Sequence, residues 1–397
     1  MKRVTLIIAT LLIIVCGNIS ASYGIGLNSQ PVTIVGAFVD PEFIKILTAA
    51  PYNLPLTDGF IDPKNLETKK MIERITCLDV SKRKITSLTG IEYFVNLTEL
   101  NCSDNPLGNV NLVALTKLRS LDCRKTLLRD LDISTLVNLT KLNCSWNNLT
   151  SLNLSAQGNL VELNCCGNDI TRLELQSLHN LIKLNCAFNC LKSLDLKKLL
   201  NLDELVCFAN PLGALDLSST TKLKVLNCQS NGLSSLDLKG LINLVELNCS
   251  QNKLSSLDLS HLINLKTLQC DNNYIISLDV SMLINLEFLD CHWNKLNKLD
   301  LDPIVKLSVL RCNQNRLIKL NVASLVNLID LDCENNRLTS LNIRTLSKLM
   351  QIKCGKQRNA AEQALDLTLM LTLKQGNYFK SLYAGNPNVT FLIWGNK

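Results

Sequence analysis

Cysteine stands at every twenty-first residue through most of this 397-residue chain: Cys102, Cys123, Cys144, Cys165, Cys186, Cys207, Cys228, Cys249, Cys270, Cys291, Cys312, Cys333 and Cys354. A thiol can act as a nucleophile, ligate a metal or close a disulfide. The spacing argues against each. No repeat is singled out to carry catalysis. A linear file of thiols offers no tetrahedral set for zinc. Neighbouring strands about 4.8 Å apart fall inside the Cα range of a disulfide, about 4.4–6.8 Å, but side chains in register on parallel strands point the same way. The period instead describes a stacked solenoid in which each cysteine is a small buried hydrophobe.

Other groups that could do chemistry lie off this file. Cys77, Cys166 and Cys190 are extra thiols. Two outcomes fit Cys166 and Cys190, which fall in adjacent repeats: a disulfide, or two partly exposed free thiols. Asp195, Asp216, Asp237, Asp258, Asp279 and Asp300 form a second file, which Asn153, Asn321 and Asn342 join elsewhere. Amide and carboxylate can both accept a backbone bond in a tight turn, so turn capping accounts for the file better than cation binding does. His179, His261 and His292 take three different repeat positions, so the period builds no histidine pair. Residues 57–62 resemble the centre of a calcium loop, but with Gly59 sixth, Leu54, Leu56 and Asn65 take the first, third and twelfth places. Calcium needs oxygen ligands there, and we read a turn without metal. No phosphate loop, nucleophile elbow or zinc-protease motif occurs. The chemistry indicated is binding without catalysis, and without a cofactor.

The repeat that positions these residues reads Leu-x-x-Leu-x-Cys-x-x-Asn-x-Leu-x-x-Leu-x-Leu-x-x-Leu-x-x, starting at Leu97. Alternation around Leu100, Asn101 and Cys102 predicts a short strand. One strand per repeat gives a parallel sheet. The later Leu-x-Leu pair, such as Leu236 and Leu238, faces the core from the opposite wall. The ninth position is asparagine in eleven repeats: Asn105, Asn147, Asn168, Asn189, Asn210, Asn231, Asn252, Asn273, Asn294, Asn315 and Asn336. A buried asparagine can bond backbone groups of its own turn and the next. Thr126 and Gln357 replace it, Thr126 as an expected weak spot and Gln357 as the end of the array. A less regular repeat at residues 75–96 carries Val80 in place of cysteine, for about 14 repeats in all.

These features resemble bacterial leucine-rich repeat proteins of the internalin class, in their cysteine-ladder subtype. Leu78-Asp79-Val80-Ser81 followed by Ile85-Thr86-Ser87-Leu88-Thr89-Gly90-Ile91 looks like a first internalin repeat. Leu247-Asn248-Cys249-Ser250-Gln251-Asn252-Lys253-Leu254 looks like the cysteine subtype. The resemblance covers roughly residues 38–394. It implies a leucine-rich repeat solenoid, a curved right-handed stack. One parallel sheet would line the concave face, with short strands or 3-10 turns on the convex side. It also implies a secreted or surface-exposed binding module that is not an enzyme. Wall-anchoring and further domains, which often follow internalin repeats, are not recognisable here, so host adhesion does not follow from the resemblance.

The expected organisation is a signal peptide at 1–22, a flexible lead at 23–37, an N-terminal cap at 38–74, repeats at 75–354 and a C-terminal cap at 355–397. Lys2 and Arg3, the apolar residues 4–15 and Ser20-Ala21-Ser22 make the export signal. Cys16 raises lipid anchoring as the alternative, although Val15 stands where a small residue is wanted. Residues 43–47 predict a helix in the first cap. The second cap is expected to hold an edge strand at 365–369, a helix around 374–384 and a strand at 389–394. It is similar to tails that close repeat arrays in secreted proteins of Bacteroides-like bacteria. The formal net charge of +7 is mildly basic and does not imply nucleic acid.

A ligand is expected on the concave face, at side chains that depart from the consensus. Those are Trp146, Phe188 and Phe208 early in the array, and Tyr274, Phe288, His292, Trp293 and Arg311 later. Large aromatics of this kind are enriched at interface hot spots; packing between repeats is the competing account. Arg316 and Arg337 belong to a basic stripe with Lys253, Lys295 and Arg358. Such a stripe steers acidic partners or merely solubilises an edge. A protein partner is the first expectation. A glycan, or a structural envelope role with no specific ligand, are the alternatives.

Overall fold

The structure, a computed structural model, describes residues 37–379 and 388–394. The expected signal peptide, Cys16 and nearly all of the expected lead lie outside the described residues. Thirteen three-residue strands follow one another: β1 (Cys77–Asp79), β2 (Glu99–Asn101), β3 (Ser120–Asp122), β4 (Lys141–Asn143), β5 (Glu162–Asn164), β6 (Lys183–Asn185), β7 (Glu204–Val206), β8 (Val225–Asn227), β9 (Glu246–Asn248), β10 (Thr267–Gln269), β11 (Phe288–Asp290), β12 (Val309–Arg311) and β13 (Asp330–Asp332). Next come β14 (Ser340–Asn342) and β15 (Gln351–Lys353). The first thirteen and β15 make one 14-stranded sheet in sequence order. All its pairs are parallel, and the register advances by one repeat, Leu100 opposite Leu121 and Leu121 opposite Leu142. The middle residue of each strand in this sheet, leucine except for Ile352 in β15, is buried; the ladder cysteine two residues on, or Val80 after β1, is fully buried, and the rear Leu-x-Leu pair closes the same core.

Backbone bonds continue past each strand, as in Cys102 N to Asp122 O (2.9 Å) and Asp104 N to Arg124 O (2.9 Å). At the next residue but one after the cysteine the chain turns, and nearly every repeat places a left-handed residue there. Examples are Lys125 (φ 52°), Trp146 (56°), Phe188 (51°), Asn272 (52°) and Trp293 (51°). The ninth-position asparagine secures this turn. Asn252 Nδ2 donates to Cys249 O (3.0 Å), Ser250 O (3.1 Å) and Cys228 O (3.0 Å), and its Oδ1 accepts from Leu233 N (2.9 Å) and Asn231 N (3.1 Å). The second turn it bonds is therefore the preceding one, not the next. Thr126 keeps its own turn, through Oγ1 to Cys123 O (2.5 Å), but its side chain is too short to reach Cys102 O. Gln357 reproduces the full asparagine pattern, to Cys333 O, Cys354 O and from Leu338 N. It extends the ladder by one more step.

Ahead of the first repeat, α1 (Pro41–Thr48) contains the helix expected at 43–47, and α2 (Leu66–Arg74) is an addition. Asp40 caps α1 with one oxygen and grips the first repeat with the other. Oδ1 accepts from Glu42 N and Phe43 N (both 3.0 Å), while Oδ2 accepts from Thr86 N and Thr86 Oγ1 (both 2.7 Å). Burial alone would raise its pKa, but the bonds from Thr86, Phe43 and Ser87 hold it below the ordinary carboxylate value. Residues Thr57 and Phe60 close a tight turn, Leu54 is buried, and Asn65 caps α2.

After the repeats, β16 (Leu367–Thr372) leads into α3 (Leu373–Phe379), and β17 (Val389–Trp394) follows. The three-stranded sheet runs β14–β16–β17, all parallel. The strand expected at 365–369 is therefore central, and β17 is the edge. It sits between its neighbours because the rear Leu-x-Leu segment of the repeat before β15 straightens into β14 and offers it a bonding edge.

Candidate recognition surface on the outer face of the sheet

Two groups of non-consensus side chains interrupt an otherwise repetitive outer face. In the first, Trp146 and Phe188 are about half exposed at left-handed positions. Their ring centroids are 5.8 Å apart, and Phe188 meets the partly buried Phe208 edge-on at 4.8 Å. Gly167 lies between them: a Cβ there would come within 2.6 Å of the Trp146 ring, so the indole lies flat against bare backbone. Beside the indole is a recess of about 380 Å³ lined by Lys82, Asp104, Arg124, Lys125, Ser145 and Cys166, among others. Cys166 is buried, Cys190 is exposed, and both are free thiols.

In the second group Trp293 is 55% exposed, and the Arg311 guanidinium lies 5.6 Å from the Phe288 ring. Lys295 Nζ sits 4.6 Å over the Tyr274 ring. Arg316, exposed, and Arg337, half-buried, follow one and two repeats on. Beneath them is a polar network. His292 Nδ1 is 2.5 Å from Asp290 Oδ1, Arg311 Nη1 is 3.7 Å from Asp290 Oδ2, and His292 Nε2 is 3.9 Å from Asp271 Oδ2. The bond to Asp290 raises the His292 pKa, partial burial opposes this, and the charges of Asp290 and Asp271 add to the rise.

In the strands that precede the first group, cross-strand pairs such as Lys141–Glu162 (3.2 Å) and Lys183–Glu204 (3.3 Å) neutralise the face. The rear aspartates cap turns: Asp237 Oδ1 accepts from Lys239 N (2.9 Å) and Asp279 Oδ1 from Ser281 N (2.9 Å), as Asn153 does from Ser155 N (3.1 Å). His179 and His261 are exposed, and neither belongs to this network.

Sequence reasoning missed two things. Asp271 and Asp290 flank His292, a grouping visible only when unusual residues at different repeat positions are aligned together. A second asparagine ladder also runs along the flank, where Asn138 Nδ2 donates to Thr116 O (2.8 Å) and Asn180 Nδ2 to Gly158 O (3.0 Å). Lysine takes its place in some repeats, as where Lys222 Nζ donates to Asn201 Oδ1 (2.7 Å).

The fold and the ladder together define a leucine-rich-repeat solenoid of the cysteine-ladder type. Its structural neighbours include internalin-type proteins. The functional domain of InlJ from Listeria monocytogenes, which includes a cysteine ladder, is 28% identical with a TM-score of 0.57, over 77% of this chain and 75% of that one. The internalin InlF from Listeria monocytogenes is 24% identical with a TM-score of 0.71, over 81% and 97%. A leucine-rich-repeat protein of Leptospira interrogans is 24% identical with a TM-score of 0.64, over 83% and 98%. No protein-family model and no curated protein matches the chain. Among the described residues no helix is long and apolar enough to cross a membrane.

Proposed function

We propose that this chain is an exported, non-catalytic recognition protein that binds a protein partner across the outer sheet face. Its anchors are Trp146, Phe188 and Phe208 at one end and Phe288, Trp293 and Arg311 at the other. In this reading residues 38–74 and 355–397 are caps and residues 75–354 are the binding array. One observation carries it. Trp146, Phe188 and Trp293 occupy left-handed turn positions, where a non-glycine side chain costs about 1–2 kcal/mol. They also remain about half exposed. The core gains nothing from an aromatic ring there, whereas an interface does. Similar support comes from the fold: the plant peptide hormone receptor RGFR1, solved in complex with RGF2, shares it.

The test is a pull-down from host-surface and bacterial-envelope extracts with the chain and a Phe288→Ala/Trp293→Ala/Arg311→Ala variant. A protein captured by the first and lost with the folded variant supports the reading. Release by soluble sugars would move the assignment to a glycan. Equal capture by both, or none, would sink the later site and favour a structural envelope role.

A further inference from the structure

We propose that Asp271, Asn272 and His292 form a binding site for one divalent transition-metal ion, with Asp290 orienting the histidine. The three side chains belong to adjacent repeats, at the loops that follow β10 and β11. Among the described residues, Asp271, Asp290 and His292 are the one group of three potential acidic, histidine or cysteine ligands brought close together.

The distances suit an ion. Asp271 Oδ2 is 3.9 Å from His292 Nε2, and the Asn272 amide nitrogen is 2.8 Å from the first and 3.4 Å from the second. A triangle with those sides has a centre about 2.0 Å from each corner, which matches the length of a bond from zinc to histidine nitrogen or carboxylate oxygen. Asn272 now turns its NH₂ toward that centre. The two ends of an amide are nearly isosteric, so a half-turn presents Oδ1 there instead. The donor set becomes one imidazole nitrogen and two oxygens, which suits zinc and its first-row neighbours better than calcium or magnesium.

The surroundings are built as a metal site's are. A ligating histidine commonly gives its other N–H to a carboxylate, which fixes the tautomer and aims the free lone pair. Asp290, 5% exposed at its side chain, stands against His292 Nδ1 in that role, leaving Nε2 to the centre. The second oxygen of Asp271 accepts a hydrogen bond from Ser250 Oγ. Asp271 is itself over 90% buried, yet its bonds come from the neutral Ser250 and Asn272. Among the described residues, the one cationic side chain within ion-pair range of it is His292, and only when that ring is protonated. A divalent ion would neutralise this carboxylate without protonating the ring. The ion would sit beside Trp293, with a fourth position left for water or a group from another molecule.

The experiment is a titration of the chelator-stripped full chain with Co²⁺, which reports its ligands by absorption. One Co²⁺ per chain is expected, with visible bands of nitrogen and oxygen ligation and no thiolate charge-transfer band. Asp290→Asn should weaken binding roughly 10–100-fold. His292→Ala and Asp271→Asn should each weaken it at least as much, and His261→Ala, outside the group, should not. Asn272→Ala removes a half-exposed ligand and should also weaken binding, which keeps the result readable should the buried variants misfold. No binding, a thiolate band, or unchanged affinity in Asn272→Ala and His292→Ala would overturn the site. No partner enters the assay, so its failure leaves the recognition reading standing.

Discussion

The inside and the outside of this solenoid obey opposite rules. Inside, each repeat restates the last: leucine, cysteine and asparagine meet their own kind one strand away, and a change at one position is felt on both sides. Outside, Trp146, Gly167, Phe188 and Ala209 stand at the same turn position of four consecutive repeats without altering the backbone. The difference shows where information is stored. The interior specifies the stack and says nothing about a ligand. The exterior specifies contacts and contributes little to the stack.

The sharpest way to break the inside is alkali. Burial pushes the thiols of Cys102, Cys144, Cys186 and Cys228 up to about 12, against an ordinary value of 9.0. Cys123, Cys165 and Cys207 are raised well above 9.0 for the same reason, with neighbouring thiols adding to it. A pKa raised in the folded state contributes stability that is complete below the unfolded value and is lost as pH climbs toward the folded one. The urea midpoint, measured anaerobically with reductant, should therefore hold to about pH 9 and fall steeply from there toward pH 12. A midpoint that stays flat above pH 10 would contradict buried, un-ionised thiols.

Next in size is Asn252→Ala, which leaves the N–H groups of Asn231 and Leu233 without their acceptor and takes one of two bonds from each of Cys228 O, Cys249 O and Ser250 O. We expect a loss of about 2–4 kcal/mol by equilibrium denaturation, because two buried N–H groups are left unpaired together. A loss under about 1 kcal/mol would mean that water replaces the amide. Thr126→Asn works in the opposite direction. It restores the missing reach to Cys102 O and should add about 1 kcal/mol; amide hydrogen exchange around residues 102–126 should slow with it.

The smallest effect belongs to the outside. Trp293→Gly removes a half-exposed indole from a left-handed turn and should change stability by only about 0.5 kcal/mol, upward. If thermal melting instead shows a clear loss, the indole is part of the packing and the contrast between the two surfaces weakens.

The interior was legible because its period repeats one physical problem thirteen times. The cysteine file, the strand around Leu100 and the asparagine turn all follow from burial alternating with exposure at fixed intervals. Departures from the period were harder. Gln357 looked like an ending because it differs from asparagine, yet one extra methylene still reaches the same carbonyls. β14 reads like every other rear Leu-x-Leu segment, and only the chain that follows makes it a strand. The network around His292 was hidden for a related reason: Asp271 and His292 share one repeat position and Asp290 takes another, so no single column of the pattern contains all three. The outer aromatics were legible as exceptions, but their mutual contacts depend on Gly167, whose importance lies in the side chain it lacks.

One consequence follows from the constant step between strands. Trp146 and Trp293 occupy the same position seven repeats apart, so about 34 Å of sheet separates them at the usual strand spacing. Because every joint between them is alike, excising one 21-residue unit from the middle would rejoin like to like. Asp40 at one end and the β14–β16–β17 sheet at the other would be untouched. The array then behaves as a ruler: gain or loss of whole units resets the distance between two anchors in increments of about 4.8 Å while each anchor keeps its own chemistry.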